Sequence, residues 1–225
     1  MHIWIDTAEA EIIDTANEMG LIYGVTTNPT ILSRSPASPK TTIDRILAQQ
    51  KGPVAVQVTQ SAQKEMLYQA KKLANYNNRI IVKIPATQDG FKVMASMAKE
   101  NLPFLATTIL DVKQVYLASI IGAKYVSPYF TAIHLLHGCY QTQAKKMQTI
   151  LDRQNSKTQI LAANITEVEQ VIFFAELGIP SITIPAKVFL PLIESPPTIG
   201  DHLKKFADAW NNREDELFNI EKPNI

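Results

Sequence analysis

Cysteine is nearly absent from this chain of 225 residues: Cys139 stands alone, so no disulfide can close within it. An excess of one charge is missing too. The chain carries 22 basic and 21 acidic residues, a formal net charge of +1, and no basic run is interleaved with aromatics. That balance gives no electrostatic reason to expect a nucleic-acid partner. Long apolar runs are lacking as well. The most apolar stretch, 171–193, is interrupted by Glu176, Lys187, Pro180, Pro185 and Pro191, which suits short buried elements better than a membrane span, so no membrane partner is expected. Met1-His2-Ile3-Trp4-Ile5-Asp6 has neither a basic n-region nor a long apolar h-region; no secretory signal is read there, and with a single thiol a cytoplasmic location is expected. No Gly-x-Gly-x-x-Gly or P-loop occurs, which weakens a nucleotide-binding reading. His134 and His137 have a spacing that can seat a metal, but no third ligand accompanies them, so no metal site is expected. No Ser-His-Asp arrangement is identifiable, and Cys139 has no clear activating context.

What is present is a rhythm. Short apolar runs recur at 2–6, 21–25, 53–58, 80–84, 103–107, 124–128, 158–163 and 180–184. Most are rich in Ile, Val or Leu, the mark of strands covered on both faces. Between them lie helical stripes, such as Ile12, Ile13, Ala16 and Met19, or Val168, Val171, Ile172 and Ala175. Asp111 to Gln114 reads as a capping box, and Thr166 to Glu169 fits that motif fully. Eight strands alternating with helices make a parallel sheet, and the count favours closure: an α/β fold, a (β/α)8 TIM barrel. After Ser195-Pro196-Pro197 a further helix is expected, with Ile199, Leu203, Phe206, Ala207 and Trp210 on one face. The expectation is one domain over 1–212, this helix included, and a polar tail over 213–225.

A closed parallel barrel places its site at the C-terminal ends of its strands. Those ends carry Asp6, Thr26-Thr27-Asn28, Gln57, Lys83, Thr107, Tyr129 and Asn164. In Arg79-Ile80-Ile81-Val82-Lys83-Ile84-Pro85, alternation puts Lys83 on the face of Ile81. If that face is the inner one, an ammonium there is disfavoured unless paired or neutralised, and a neutral amine is what a lysine nucleophile requires. A buried ion pair of Lys83 with Asp6 accounts for the pattern equally well. Asp6 in Asp6-Thr7-Ala8-Glu9 also suits a plain N-cap, as does Asn28 before Pro29.

Three segments carry a resemblance: Trp4-Ile5-Asp6-Thr7, Gly24-Val25-Thr26-Thr27-Asn28-Pro29-Thr30, and Val82-Lys83-Ile84-Pro85-Ala86-Thr87-Gln88-Asp89-Gly90. With them the chain resembles the transaldolase family in its short, fructose-6-phosphate aldolase-like branch. Weaker similarity runs through Gly122 to Tyr129 and Ile182 to Pro185. The resemblance implies the barrel, no metal or cofactor, a ring-forming homo-oligomer, and a sugar or sugar-phosphate substrate held as a Schiff base on Lys83. It implies proton transfer by Tyr129, a water held by Gln57 and Thr107, and donor hydroxyls bound near Asp6, Thr26, Asn28 and Asn164. Transaldolases have a glutamate where Gln57 stands, so the Gln57/Tyr129 pair points to reversible aldol cleavage through a dihydroxyacetone-type donor. The alternatives are transfer of that unit between sugar phosphates, and an inactive barrel with a binding or assembly role.

The resemblance is not complete. The arginine that binds the substrate phosphate in relatives, after Pro128-Tyr129, is matched by Ala132. Ser-Phe followed by a basic residue at the end of strand 7 is here Asn164-Ile165-Thr166, and His134 replaces an acidic residue. Weak discrimination between phosphorylated and unphosphorylated substrates is therefore expected.

Overall fold

The computed structural model describes residues 1–210. Eight parallel strands close a barrel in sequence order: β1 (His2–Asp6), β2 (Gly24–Thr26), β3 (Val54–Gln57), β4 (Ile80–Pro85), β5 (Phe104–Ile109), β6 (Tyr125–Pro128), β7 (Gln159–Ala162) and β8 (Ser181–Ile184). Helix α1 (Ala10–Glu18) links β1 to β2; α2 (Pro29–Arg34) and α3 (Pro39–Gln49) both lie between β2 and β3. Next come α4 (Gln63–Ala74), α5 (Gln88–Lys99) and α6 (Val112–Ile121), one after each of β3, β4 and β5. Two helices, α7 (Phe130–His137) and α8 (Tyr140–Arg153), separate β6 from β7; α9 (Val168–Glu176) precedes β8 and α10 (Ala186–Ile193) follows it. This is the expected (β/α)8 barrel.

The described residues form two compact units, Met1–Leu192 and 193–210. The second contains the expected additional helix, α11 (Ile199–Trp210). The expected polar tail over 213–225 lies outside the described residues.

The barrel interior explains why the strands are so apolar. Trp4, Ala55, Ile81, Leu105, Tyr125 and Leu161 form one buried layer. Trp4 meets Tyr125 edge-on, with ring centroids 5.5 Å apart, a favourable aromatic geometry. Burial and a hydrogen bond with Tyr23 raise the Tyr125 pKa, so the phenol stays neutral within the layer. Trp4 fits because Gly24 is its register partner on β2. A Cβ at Gly24 would stand 2.6 Å from the Pro53 carbonyl and 2.8 Å from the Trp4 ring. Ile81 belongs to this inner layer, so strand alternation turns Lys83, two residues on, inward at the C-terminal end.

Several local expectations shift. The run at 21–25 gives a strand only from Gly24, because Gly20, at φ 66°, turns the chain out of α1 and Leu21 closes that turn through an N–H bond to Ala16. On α1, Ile13 and Ala16 are buried, but Met19 is the exposed C-cap. On α9 the buried residues are Gln170, Val171 and Phe174, not Ile172 and Ala175. The box at Asp111 and Gln114 forms. The one read at Thr166 does not: Glu167 occupies the N-cap, and the Thr166 N–H donates to Gln170 Oε1 at 2.8 Å. The stretch 171–193 divides among α9, β8 and α10, and no helix among the described residues is long and apolar enough to cross a membrane.

Candidate active site

Three consecutive residues after β2 perform three different tasks. Thr26 is buried and donates through Oγ1 to Asp6 Oδ1 at 2.6 Å. Its single proton being used there, the Thr183 hydroxyl 2.6 Å away donates to it, giving the chain Thr183 to Thr26 to Asp6. Thr27 is pinned by its N–H and hydroxyl, both donating to the Ala55 carbonyl at 2.9 Å. Its own carbonyl accepts from Lys83 Nζ at 2.7 Å. Asn28 is the N-cap of α2, its Oδ1 accepting from the Ile31 N–H at 2.9 Å, with Pro29 at the first helical position. The plain reading of Asn28 is thus realised, and its side chain also lines the barrel mouth.

For Asp6 the plain reading fails. Glu9 is the N-cap of α1, and its N–H donates to Thr7 Oγ1 at 3.0 Å. The Asp6 carboxylate is left to Thr26. Nor does Asp6 neutralise Lys83: none of the ion pairs among the described residues joins them. Lys83 is 6% exposed, faces the barrel interior, and has one backbone carbonyl as its partner.

Lys83 pairs in register with Gln57 on β3, and Pro85 with Thr107 on β5. Gln57 Oε1 is buried without a hydrogen-bond partner, an arrangement that usually marks a functional position or a solvent site. Thr107 Oγ1 lies 3.1 Å from the Tyr129 hydroxyl. Just beyond, β5 has an irregular register between Ala106 and Ile109, and Thr108 adopts φ 57°. A β-branched residue in the left-handed region carries roughly 1–3 kcal/mol of strain. Gln114 of the α6 capping box holds the segment there: its side-chain nitrogen donates to the Ala86 and Thr108 carbonyls, and its oxygen accepts from the Leu110 and Asp111 N–H groups.

The segment after β4 has its own device. Thr87 caps α5, accepting from the Gly90 N–H at 3.1 Å. A Cβ on Gly90 would sit 1.8 Å from the Pro85 carbonyl, so glycine alone lets the helix rest on the strand end that carries Lys83.

A cavity of about 1250 Å³ opens at the strand ends and is lined by Asp6, Asn28, Gln57 and Tyr129 among others. Lys83, Thr26 and Thr107 are buried beside these four through the contacts above. Asn164 is not brought to the cavity. Its φ is 58°, its Oδ1 accepts from the Ala132 N–H at 3.0 Å, and its carbonyl accepts from Thr131. Since Tyr129, the N-cap of α7, makes no side-chain cap, Asn164 caps that helix from across the chain. Among the charged residues that line the cavity, Arg34, Arg45 and Glu9 were not singled out from sequence as mouth residues. Arg34 has a usable signal, standing one short helix beyond Asn28. Thr183 was legible only as the end of β8. A second groove of about 910 Å³, with Ile43, Tyr68 and Tyr76, lies against α3 and α4 and contains none of these groups.

The sequence model of the transaldolase/fructose-6-phosphate aldolase family matches residues 3–222. This chain belongs to the transaldolase/fructose-6-phosphate aldolase family. It is similar to a probable transaldolase of Nitrosopumilus maritimus (strain SCM1), 34% identical over 230 residues that cover 100% of this chain and 99% of the relative. One from Lactiplantibacillus plantarum is 35% identical over 210 residues, 93% of this chain and 96% of the relative. Among solved structures it is similar to a mandelate oxidase mutant (TM-score 0.57, 13% identity, 82% of this chain and 64% of that one). Inosine 5′-monophosphate dehydrogenase from Legionella pneumophila gives 0.56 at 13%, over 82% of this chain and 58% of that one. This chain spans less than two thirds of either, and the likeness speaks for the fold alone. As a member of the transaldolase/aldolase family it is an enzyme, a lyase or transferase acting on sugar carbon chains, and an inactive barrel finds no support.

Proposed function

We propose that this family member is a Schiff-base aldolase with Lys83 as its nucleophile. The observation that carries the reading is a buried, inward-facing lysine without a counter-ion, seated beside Gln57, Thr107 and Tyr129. The neutral amine adds to the ketose carbonyl, and loss of water gives an iminium. Tyr129 takes the proton of the adjacent hydroxyl as the carbon–carbon bond breaks, and the bonding pair moves to the iminium to give an enamine. The aldehyde departs, the enamine carbon is reprotonated, and water releases the dihydroxyacetone unit and the free amine. Gln57 and Thr107 hold the water, while Asp6, Thr26 and Asn28 orient the lysine and bind donor hydroxyls. We assign Asn164 to substrate only if it releases α7, since its side-chain oxygen already accepts from the Ala132 N–H.

Transfer of the enamine to an acceptor aldehyde is the second reading, favoured by the relatives named probable transaldolase. Gln57 favours the first, because an amide cannot titrate as a glutamate does. We also infer a homo-oligomer, on the exposed apolar residues Ile199, Leu203 and Phe206 of α11, and a cytoplasmic setting, on the single thiol.

Borohydride reduction in the presence of dihydroxyacetone is expected to leave one ketose-derived mass on Lys83. Lys83→Ala removes it and Lys124→Ala does not. An adduct elsewhere, or none with any ketose, rejects the mechanism. Glyceraldehyde release without an acceptor separates cleavage from transfer.

A further inference from the structure

The mouth cavity holds two cations with nothing to neutralise them. Arg34, at the last turn of α2, and Lys187, in the first turn of α10, both line it and are exposed. Neither takes part in any hydrogen bond or ion pair among the described residues. Every other charged group on this cavity is engaged. The Arg45 guanidinium donates to Gln49 and to the Ala8 carbonyl. Asp6 accepts from Thr26, and Glu9 is bonded to Thr7.

Their placement follows from the barrel order. β8, β1 and β2 are neighbours in the sheet; α10 follows β8 and α2 follows β2, so the two cations bracket the strand end that carries Asp6. Arg34 stands five residues beyond Pro29, about 7.5 Å along a helix axis, and so lies away from the reacting carbonyl, as a terminal group of a sugar chain does. On the other side of the mouth, Ala132 and Thr166 bring no charge, and Asn164 is engaged with the Ala132 N–H.

We propose that Arg34 and Lys187 form the site that holds the terminal phosphate of a sugar-phosphate substrate. A guanidinium offers a planar fork of donors to a phosphate and an ammonium a movable point charge, and the two together suit a dianion. The missing cations after β6 and β7 then mark a relocation of phosphate recognition across the mouth, not its loss, and the expected indifference to phosphate is replaced by a preference. The proposal rests on the aldolase or transaldolase reading of the cavity, and its test separates the two.

Binding of inorganic phosphate to the wild-type enzyme is measured by calorimetry, with no turnover required. Arg34→Ala is expected to weaken it about ten- to a hundredfold, Lys187→Ala by less, and Arg34→Lys to restore part of it. Lys40→Ala, a cation paired with Asp44 outside the mouth, leaves phosphate binding as it is. In turnover, Arg34→Ala should raise KM for a phosphorylated ketose at least tenfold more than KM for its unphosphorylated counterpart, with kcat changed less than KM. Equal effects on both substrates, or phosphate binding that survives the Arg34→Ala/Lys187→Ala pair, overturn the proposal. Loss of phosphate binding in these variants while wild-type enzyme forms no borohydride adduct with dihydroxyacetone upholds the phosphate site and rejects the Schiff-base reading instead.

Discussion

The hydroxyls of Thr107 and Tyr129 stand 3.1 Å apart, one near the end of β5 and the other just past β6. Two successive strands of the barrel thus meet at a single proton-sharing contact beside Lys83. Tyr129→Phe is expected to lower turnover about 10²–10⁴-fold, the range for losing a positioned acid/base. The borohydride adduct on Lys83 should persist, because imine formation does not need that proton. Thr107→Val keeps the volume and removes the partner, and should lower turnover up to about tenfold. Near-normal turnover of Tyr129→Phe would move the acid/base role to another group, Asp6 first.

Gln57→Glu puts a titrating group beside Lys83, where β3 and β4 pair. Transfer to an acceptor aldehyde is expected to gain on simple cleavage, read as the ratio of exchanged ketose to free glyceraldehyde. An unchanged ratio would show that residue 57 does not set the choice.

Thr183→Val removes the donor at the head of the chain that ends on Asp6. Stability should fall by about 0.5–1.5 kcal/mol, the usual net value of one hydrogen bond. If Asp6 works in the reaction, kcat should also fall several-fold while thermal unfolding stays cooperative. A variant that loses stability alone would make the chain a structural brace.

Two of the close-packed glycines, Gly24 and Gly90, should differ in their effects. At Gly24 the added methyl meets a ring and a carbonyl at 2.6–2.8 Å, and overpacking of this kind costs about 1–3 kcal/mol. At Gly90 the obstacle is the Pro85 backbone at 1.8 Å, which cannot swing aside. Gly90→Ala should therefore be the more destabilising, and should lower the rate of adduct formation because the displaced strand end carries Lys83. Denaturant midpoints and trapping rates measure both.

Cys139, featureless in sequence, has an activating neighbour. The Thr142 hydroxyl 3.3 Å away, together with its backbone N–H, holds the thiol below its ordinary pKa. A lowered value means more thiolate at neutral pH, so alkylation should rise at lower pH than for a free cysteine. Thr142→Val should move that rise upward. A profile centred at or above the ordinary thiol range in the wild-type enzyme would count against this contact in solution.

Much of the fold was legible because strands buried on both faces must be apolar throughout, and each of the eight runs lies on a strand. Boundaries were less so. The run at 21–25 includes Leu21, whose apolar side chain belongs to a helix-terminating turn, and hydrophobicity alone does not separate the two. Lys83 was readable because a charge within an apolar strand is anomalous. Thr183 was not, because threonine is common in strands and its partners, Thr26 and through it Asp6, lie more than 150 residues away. Asn164 misled for a related reason: a polar residue at a strand end can serve a ligand or cap a helix, and only the fold shows that α7 lacks a cap of its own. Arg34 was passed over because a lone arginine in a short helix resembles any solvated surface residue until the mouth is assembled around it.

The bond from Thr183 to Thr26 spans the seam where the last strand meets the first two. During synthesis, a chain that has emerged only as far as β7 has every residue of the Lys83 cluster yet lacks the donor that fixes Thr26 against Asp6. The carboxylate reaches its final orientation when the ring closes, so a nascent or C-terminally truncated barrel would hold the nucleophile before it is equipped to use it.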